Sequence, residues 1–202
     1  MGPRGDAIIE ADWSIGELYK TLQSEDLLDN TFIIFSSDNG PVLNDGYYDD
    51  AVEKLGDHTP SGGLRGGKYS LFEAGTRVPF ITYWKGKIKP GVSNEIISQV
   101  DLFNSISVLV GSKYQSIDGN DFSQLLINNK GKGRDELIIE ASTRTAFRKG
   151  DWVMIPPYKG PEVSKNVNIE LGNSLNFMLY NLKDDPSQEN NLSITNKGKL
   201  KD

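Results

Sequence analysis

Apolar positions recur at helical spacing over residues 10–27, where Ile15, Leu18 and Leu22 share one face with Trp13 and Tyr19 at its edges. Asp29 and Asn30 break that pattern. Thr31–Phe35 follows as an unbroken apolar run, as expected of a buried parallel strand. Helix, short turn and buried strand make half of an α/β unit. Between Asp38 and Tyr69 the periodicity vanishes into charge and glycine: Asp45-Gly46, Asp49-Asp50, Gly56-Asp57-His58, Gly62-Gly63 and Gly66-Gly67-Lys68. A patternless stretch of that length within a domain is functional or disordered. Strand character resumes over Val78–Trp84, with Pro79 near the start, where a missing N–H is tolerated. Residues 101–110 predict a helix with Asp101 at its N-cap and Gly111 at its end.

Past residue 130 the pattern changes to short alternating runs. Residues 136–141, 143–148, 152–155 and 176–180 predict strands, with Arg148-Lys149-Gly150-Asp151 as a hairpin turn between two of them. Successive strands with few helices imply an antiparallel sheet, here with a helix against it. Residues 159–174 are polar and unpatterned, which predicts a loop. The expected organisation is an α/β piece over 1–130 and a small α+β subdomain over 131–202.

Composition narrows the chemistry more than the fold. The chain of 202 residues is 37% hydrophobic, enough for a core, and no apolar run is long enough to span a membrane. A net charge of −6 argues against a general nucleic-acid binder. Cysteine is absent, which excludes disulfides, thiolate metal sites and a cysteine nucleophile within the chain. His58 is the only histidine, too few for a two-zinc hydrolase site. The opening residues lack the apolar stretch of a signal peptide and enter a helix almost at once, the expectation for a fragment.

Asp38 and Asn39, directly after the strand, offer hard oxygen ligands that suit calcium before magnesium. Ser36-Ser37-Asp38-Asn39-Gly40 also reads as an ordinary turn at a strand end. Leu64-Arg65-Gly66-Gly67-Lys68 offers two glycines for close backbone approach and two cations, a cradle for an anion or simply a common loop. His58 could donate to, or protonate, an oxygen held there, or be merely solvated. Carboxylate, metal, lysine and histidine around one oxyanion equip a site for sulfuryl or phosphoryl transfer.

The series "TFIIFSSDNG", "GGLRGGKYSLFEAGTRVPFITYWKGKIKPG" and "QVDLFNSISVLVG" resembles the C-terminal part of the formylglycine-dependent, arylsulfatase-type sulfatases. "RGDAIIEADWSIGELYKTL" resembles the helix before that family's metal strand, and "FRKGDWVMI" and "LYNLKDDPSQENNL" resemble its closing hairpin and tail. The resemblance implies a partial alkaline phosphatase-like mixed sheet with flanking helices, then the small antiparallel subdomain. It implies calcium as cofactor, with Asp38 and Asn39 as the second pair of ligands. Lys68 would contact the substrate sulfate, His58 would line the pocket, and Arg65 would add to substrate binding. Glu73 and Arg77 occupy motif positions read as structural, and Ala74 stands where the family has glycine.

The family's nucleophile, a formylglycine made in a Cys/Ser-x-Pro-x-Arg motif, has no precursor here. The chain is therefore expected to be the second part of a sulfatase, inactive without the N-terminal half of the same protein. Its partner would be a sulfated small molecule or glycan. A non-catalytic relative that binds sulfated glycans, and a phosphoesterase of the same superfamily, stay as alternatives. Asn39 disfavours the second, because related phosphatases place histidine after the aspartate. By resemblance the protein would be periplasmic, extracellular or lysosomal.

Overall fold

Helix α1 (Gly2–Ser24) begins well before its apolar periodicity. Pro3 sits in the first turn, where a missing N–H has no intrahelical partner to lose. The helix ends before Asp29: Asp26 adopts φ 56°, its N–H donates to the Gln23 carbonyl, and Leu27 N–H donates to the Leu22 carbonyl. That is a Schellman stop with aspartate at the left-handed position. Asp29 and Asn30 instead lie in the short 3-10 turn Leu28–Asn30. The computed structural model describes residues 2–200, and among them no helix is long and apolar enough to cross a membrane.

The described residues group into two units, one over 2–16, 36–79 and 138–200, the other over 17–35 and 80–137. The second holds a two-stranded sheet of β1 (Ile33–Ser36) and β2 (Phe80–Tyr83). Phe32 stacks on Trp84 with ring centroids 5.6 Å apart, and the Trp84 indole N–H donates to the Asp29 carbonyl. β1 is less buried than its apolar run suggested. It pairs with β2 alone, and Phe35 keeps 42% of its surface exposed.

In the same unit α3 (Asp101–Leu109) buries Asp101, Asn104, Ser105 and Ser107, while Phe103, Ile106 and Val108 stay exposed. Asp101 is the first helical residue and not the N-cap, which is Val100. Its carboxylate accepts the Ser98 and Asn120 N–H groups at 2.8 Å and the Arg134 guanidinium at 2.5–3.1 Å. Gly111, at φ 71°, closes the helix as expected. A further short helix, α4 (Ser123–Asn128), had no clear periodicity to announce it.

The first unit contains the turn α2 (Glu73–Thr76) and a sheet ordered β3 (Glu136–Ala141), β4 (Arg144–Lys149), β5 (Trp152–Ile155), β8 (Met178–Asn181). β4 pairs antiparallel with β5 in the register Arg148–Val153, and β5 antiparallel with β8 in the register Val153–Tyr180. Gly150, at φ 56°, opens the two-residue β4–β5 turn, a position that needs positive φ. Val153, Ile155, Leu179 and Tyr180 form the core with Leu71 and Phe72, and Phe72 meets Tyr180 edge to face at 6.0 Å. No helix follows α4 among the described residues, so the sheet packs on the segment around residues 71–74 and not on a helix of its own. The expected loop over 159–174 is partly ordered by β6 (Val163–Ser164) and β7 (Ile169–Glu170), an antiparallel pair.

Candidate functional site

The strand-end turn and the glycine-rich loop are joined through their backbones. Gly40 N–H donates to the Gly75 carbonyl and Lys68 N–H to the Pro41 carbonyl, both at 2.9 Å. A Cβ at Gly40 would lie 1.6 Å from the Ala74 carbonyl oxygen, and one at Gly67 would lie 2.5 Å from that of Pro41. Only glycine permits such contact. The two motifs, far apart in sequence, therefore require glycine for the same reason.

Within the turn, Asp38 Oδ1 accepts the Asn39 N–H at 2.9 Å, and Asn39 Nδ2 donates to the Gly40 carbonyl at 3.0 Å. Asp38 Oδ2 and Asn39 Oδ1 have no hydrogen-bond or ion-pair partner among the described residues. One carboxylate oxygen and one amide oxygen form a hard donor pair that suits calcium but falls short of the six to eight oxygens that ion takes. No cluster of three or more metal-ligating acids or histidines exists among the described residues.

Asp38, Asn39 and His58 line one cavity of about 1110 Å³, together with Arg4 and Arg77. Lys68 and Arg65 are not among its lining residues. Lys68 is half-buried, has no carboxylate partner among the described residues, and places Nζ 5.5 Å from the Tyr69 ring. Arg65 is engaged elsewhere. It meets Glu170 through Nε at 2.5 Å, donates to the Gln188 carbonyl at 2.8 Å, and lies 4.1 Å over the Phe72 ring. The bond to Glu170 outweighs burial and raises the Arg65 pKa.

Further residues matter at the site, and Arg4, Gln188 and Tyr69 among them carried no sequence signal of their own. Arg4 bridges Asp45 at 2.7 Å, Asp49 at 2.6 Å and the Val42 carbonyl at 2.6 Å, fastening the acidic loop to α1. Only the unpaired acids of that loop hinted at a missing cation. Glu73 is buried, with Arg77 and Arg148 each 3.5 Å from Oε2. Burial pushes its carboxyl pKa up, and the two guanidiniums offset only part of that. Arg77, read as structural, is also on the cavity wall. Gln188 accepts the Glu73 N–H at 2.7 Å through Oε1, while its Nε2 is buried without a partner among the described residues. Tyr69 adopts φ 74°, a conformation that costs a bulky residue roughly 1–3 kcal/mol.

Residues 1–112 match the sulfatase family. The chain belongs to that family. Over 197 residues, 96% of this chain, it is 43% identical to an N-acetylgalactosamine-6-O-sulfatase of Bacteroides thetaiotaomicron. It is 30% identical over 206 residues to human arylsulfatase A, with 95% of this chain covered. A solved structure described under metabolism of multiple glycosaminoglycans by Bacteroides thetaiotaomicron superposes with a TM-score of 0.94 at 40% identity, over 99% of this chain and 42% of that one. The sulfatase chain spans 39% of the length of each of the two curated relatives.

Proposed function

We propose that this chain supplies the sulfate-holding part of a sulfuric ester hydrolase that acts on sulfated carbohydrate. The observation that carries the reading is the backbone junction of the two loops. It ties Lys68, a lysine without a carboxylate partner, to a turn whose Asp38 and Asn39 oxygens are open. Asp38 Oδ2 and Asn39 Oδ1 would hold calcium, which supplies positive charge to the sulfate oxygens. Lys68 adds its own charge to those oxygens, and this lowers the barrier to the extent that it strengthens as charge shifts in the transition state. Arg65, committed to Glu170, acts as a brace and as a nearby positive charge. His58, on the wall of the cavity that Asp38 and Asn39 line, would protonate the departing alcohol.

The sequence has no precursor of a formylglycine, so the attacking group is not among its residues. The 43% identity to an N-acetylgalactosamine-6-O-sulfatase makes the 6-sulfate of an N-acetylhexosamine the first substrate to test. The purified chain should bind calcium only weakly, near the millimolar end of the range for such sites, and should not hydrolyse a chromogenic aryl sulfate. Turnover free of full-length contaminant would overturn this assignment. In a protein that joins this segment to a nucleophile-bearing N-terminal part, Lys68→Ala should lower turnover by about 10²-fold. Unchanged kinetics there would refute the role of Lys68. A preference for aryl phosphate over sulfate would refute the substrate class.

A further inference from the structure

Arg144, on β4, is 8% exposed and has no carboxylate partner among the described residues. A buried guanidinium without a counter-charge is unfavourable unless hydrogen bonds satisfy its donors. Those bonds run to three oxygens on two stretches of chain, at residue 69 and at residues 171–173. Nη1 donates to the Leu171 carbonyl at 2.7 Å and to Asn173 Oδ1 at 2.6 Å, and Nη2 donates to the Tyr69 carbonyl at 2.7 Å. Asn173 is anchored in turn, since its Nδ2 donates to the Pro161 carbonyl at 2.6 Å. Lysine carries its three donors on a single nitrogen, whereas the planar guanidinium fork reaches Tyr69 from Nη2 and residues 171 and 173 from Nη1.

The acceptor that stands out is Tyr69. Its left-handed φ of 74° is rare for an aromatic residue, and it directly follows Lys68. Leu71 N–H donates to the Leu171 carbonyl, the same oxygen that Arg144 holds, so the loop is fixed again two residues on. On the other side, Lys68 N–H is held by the Pro41 carbonyl. We propose that Arg144 is a positioning residue for Lys68: it holds the strained Tyr69 backbone so that the lysine is fixed from both sides against the Asp38–Asn39 turn. The proposal rests on the reading of Lys68 as a sulfate ligand and adds how that lysine is kept in place.

The test uses the 202-residue chain with two readouts: exchange of the Lys68 amide hydrogen relative to the β5 core amides, and the response of the Lys68 side-chain NMR signal to inorganic sulfate. Arg144→Lys should speed exchange at Lys68 by about tenfold relative to the β5 amides and weaken the sulfate response by a similar factor, as expected for one lost hydrogen-bond constraint. Tyr69→Gly in the same chain should restore much of both, because glycine adopts that φ without strain. Tyr69→Gly alone should leave the sulfate response close to that of the unaltered chain. It also serves as the informative variant if Arg144→Lys does not fold, since loss of the response in Tyr69→Gly would show that the ring matters and overturn the proposal. Exchange that rises uniformly, or a defect that Tyr69→Gly does not repair, would reduce Arg144 to a structural role. Lys68→Ala, with sulfate binding to it and to Arg144→Lys read by titration calorimetry because the alanine variant has no lysine signal, separates the two levels. If it leaves sulfate binding intact, the sulfate reading fails. If it abolishes binding while Arg144→Lys does not, only the positioning role fails.

Discussion

Asp101 and Asp38 are acids of the same type in the two units of the molecule, with opposite surroundings. Both oxygens of Asp101 are engaged, by two backbone N–H groups and a fork from Arg134. Burial alone would raise its pKa, but the Arg134 bonds and the Asn120 and Ser98 N–H groups together bring it below the usual aspartate range. Asp38 is exposed, accepts one N–H from its neighbour and leaves an oxygen open. Around Asp101 the side chain holds the backbone in place. Around Asp38 the backbone, through Gly40 and Gly75, holds the side chain. The saturated carboxylate of Asp101 is architecture, and the open one of Asp38 leaves an oxygen for the ligand proposed above.

The largest effect that separates the two regions should come from Asp101→Ala. It removes the acceptor of two part-buried N–H groups and strips the part-buried Arg134 of its partner, for an expected loss of about 2–4 kcal/mol in urea unfolding. Asp38→Ala in the same assay should stay within about 0.5 kcal/mol. Comparable losses in both would break the distinction. Gly40→Ala should come next, at about 1–3 kcal/mol, because the added methyl meets the Ala74 carbonyl. Gly16→Ala, in α1 with nothing within 4 Å, should instead stabilise by about 0.5–1 kcal/mol. If Gly40→Ala is silent, the backbone is not what supports the open pair.

The smallest effects are in pH dependence, and their signs oppose. The Asp101 pKa is depressed by folding, so its stabilisation is present above the ordinary aspartate value of about 3.9 and is lost as pH falls below it. The Glu73 pKa is raised by burial, so its contribution is present below the ordinary glutamate value of about 4.3 and is lost as pH rises past it. Unfolding midpoints measured from about pH 3 to 6 should show Asp101→Asn flattening the acid side and Glu73→Gln flattening the other. Matching slopes in both variants would contradict these assignments.

Elements with regular periodicity were legible. β3, β5 and the Gly150 turn fall where alternation and glycine put them, and α3 follows from the end signals at Asp101 and Gly111, although Asp101 is its first residue and not its cap. α1 was misjudged at both ends, because its first turns lack an apolar stripe and its stop is an aspartate in a conformation normally given to glycine. β6 and β7 were missed because two-residue strands carry no period. They pair with each other, and the residues that flank them are tied by Arg144 to Leu171 and Asn173 and by Asn173 to Pro161, contacts that no local pattern encodes. Asp38, Asn39 and His58 were legible as chemistry and share a cavity. The engagement of Arg65 by Glu170, 105 residues away, was not.

Asn39-Gly40 is also the dipeptide most prone to ageing. In a flexible chain the glycine nitrogen attacks the asparagine side chain, ammonia leaves, and the ring that forms reopens to aspartate or isoaspartate. Here that nitrogen's N–H is bonded to Gly75, and the asparagine amide is tied to the Gly40 carbonyl. The contact that organises the site should therefore act as its preservative. After prolonged warm incubation, peptide mapping should find Asn39 intact in the folded chain and converted in urea. Equal conversion in both would show that the lock opens too often to protect it.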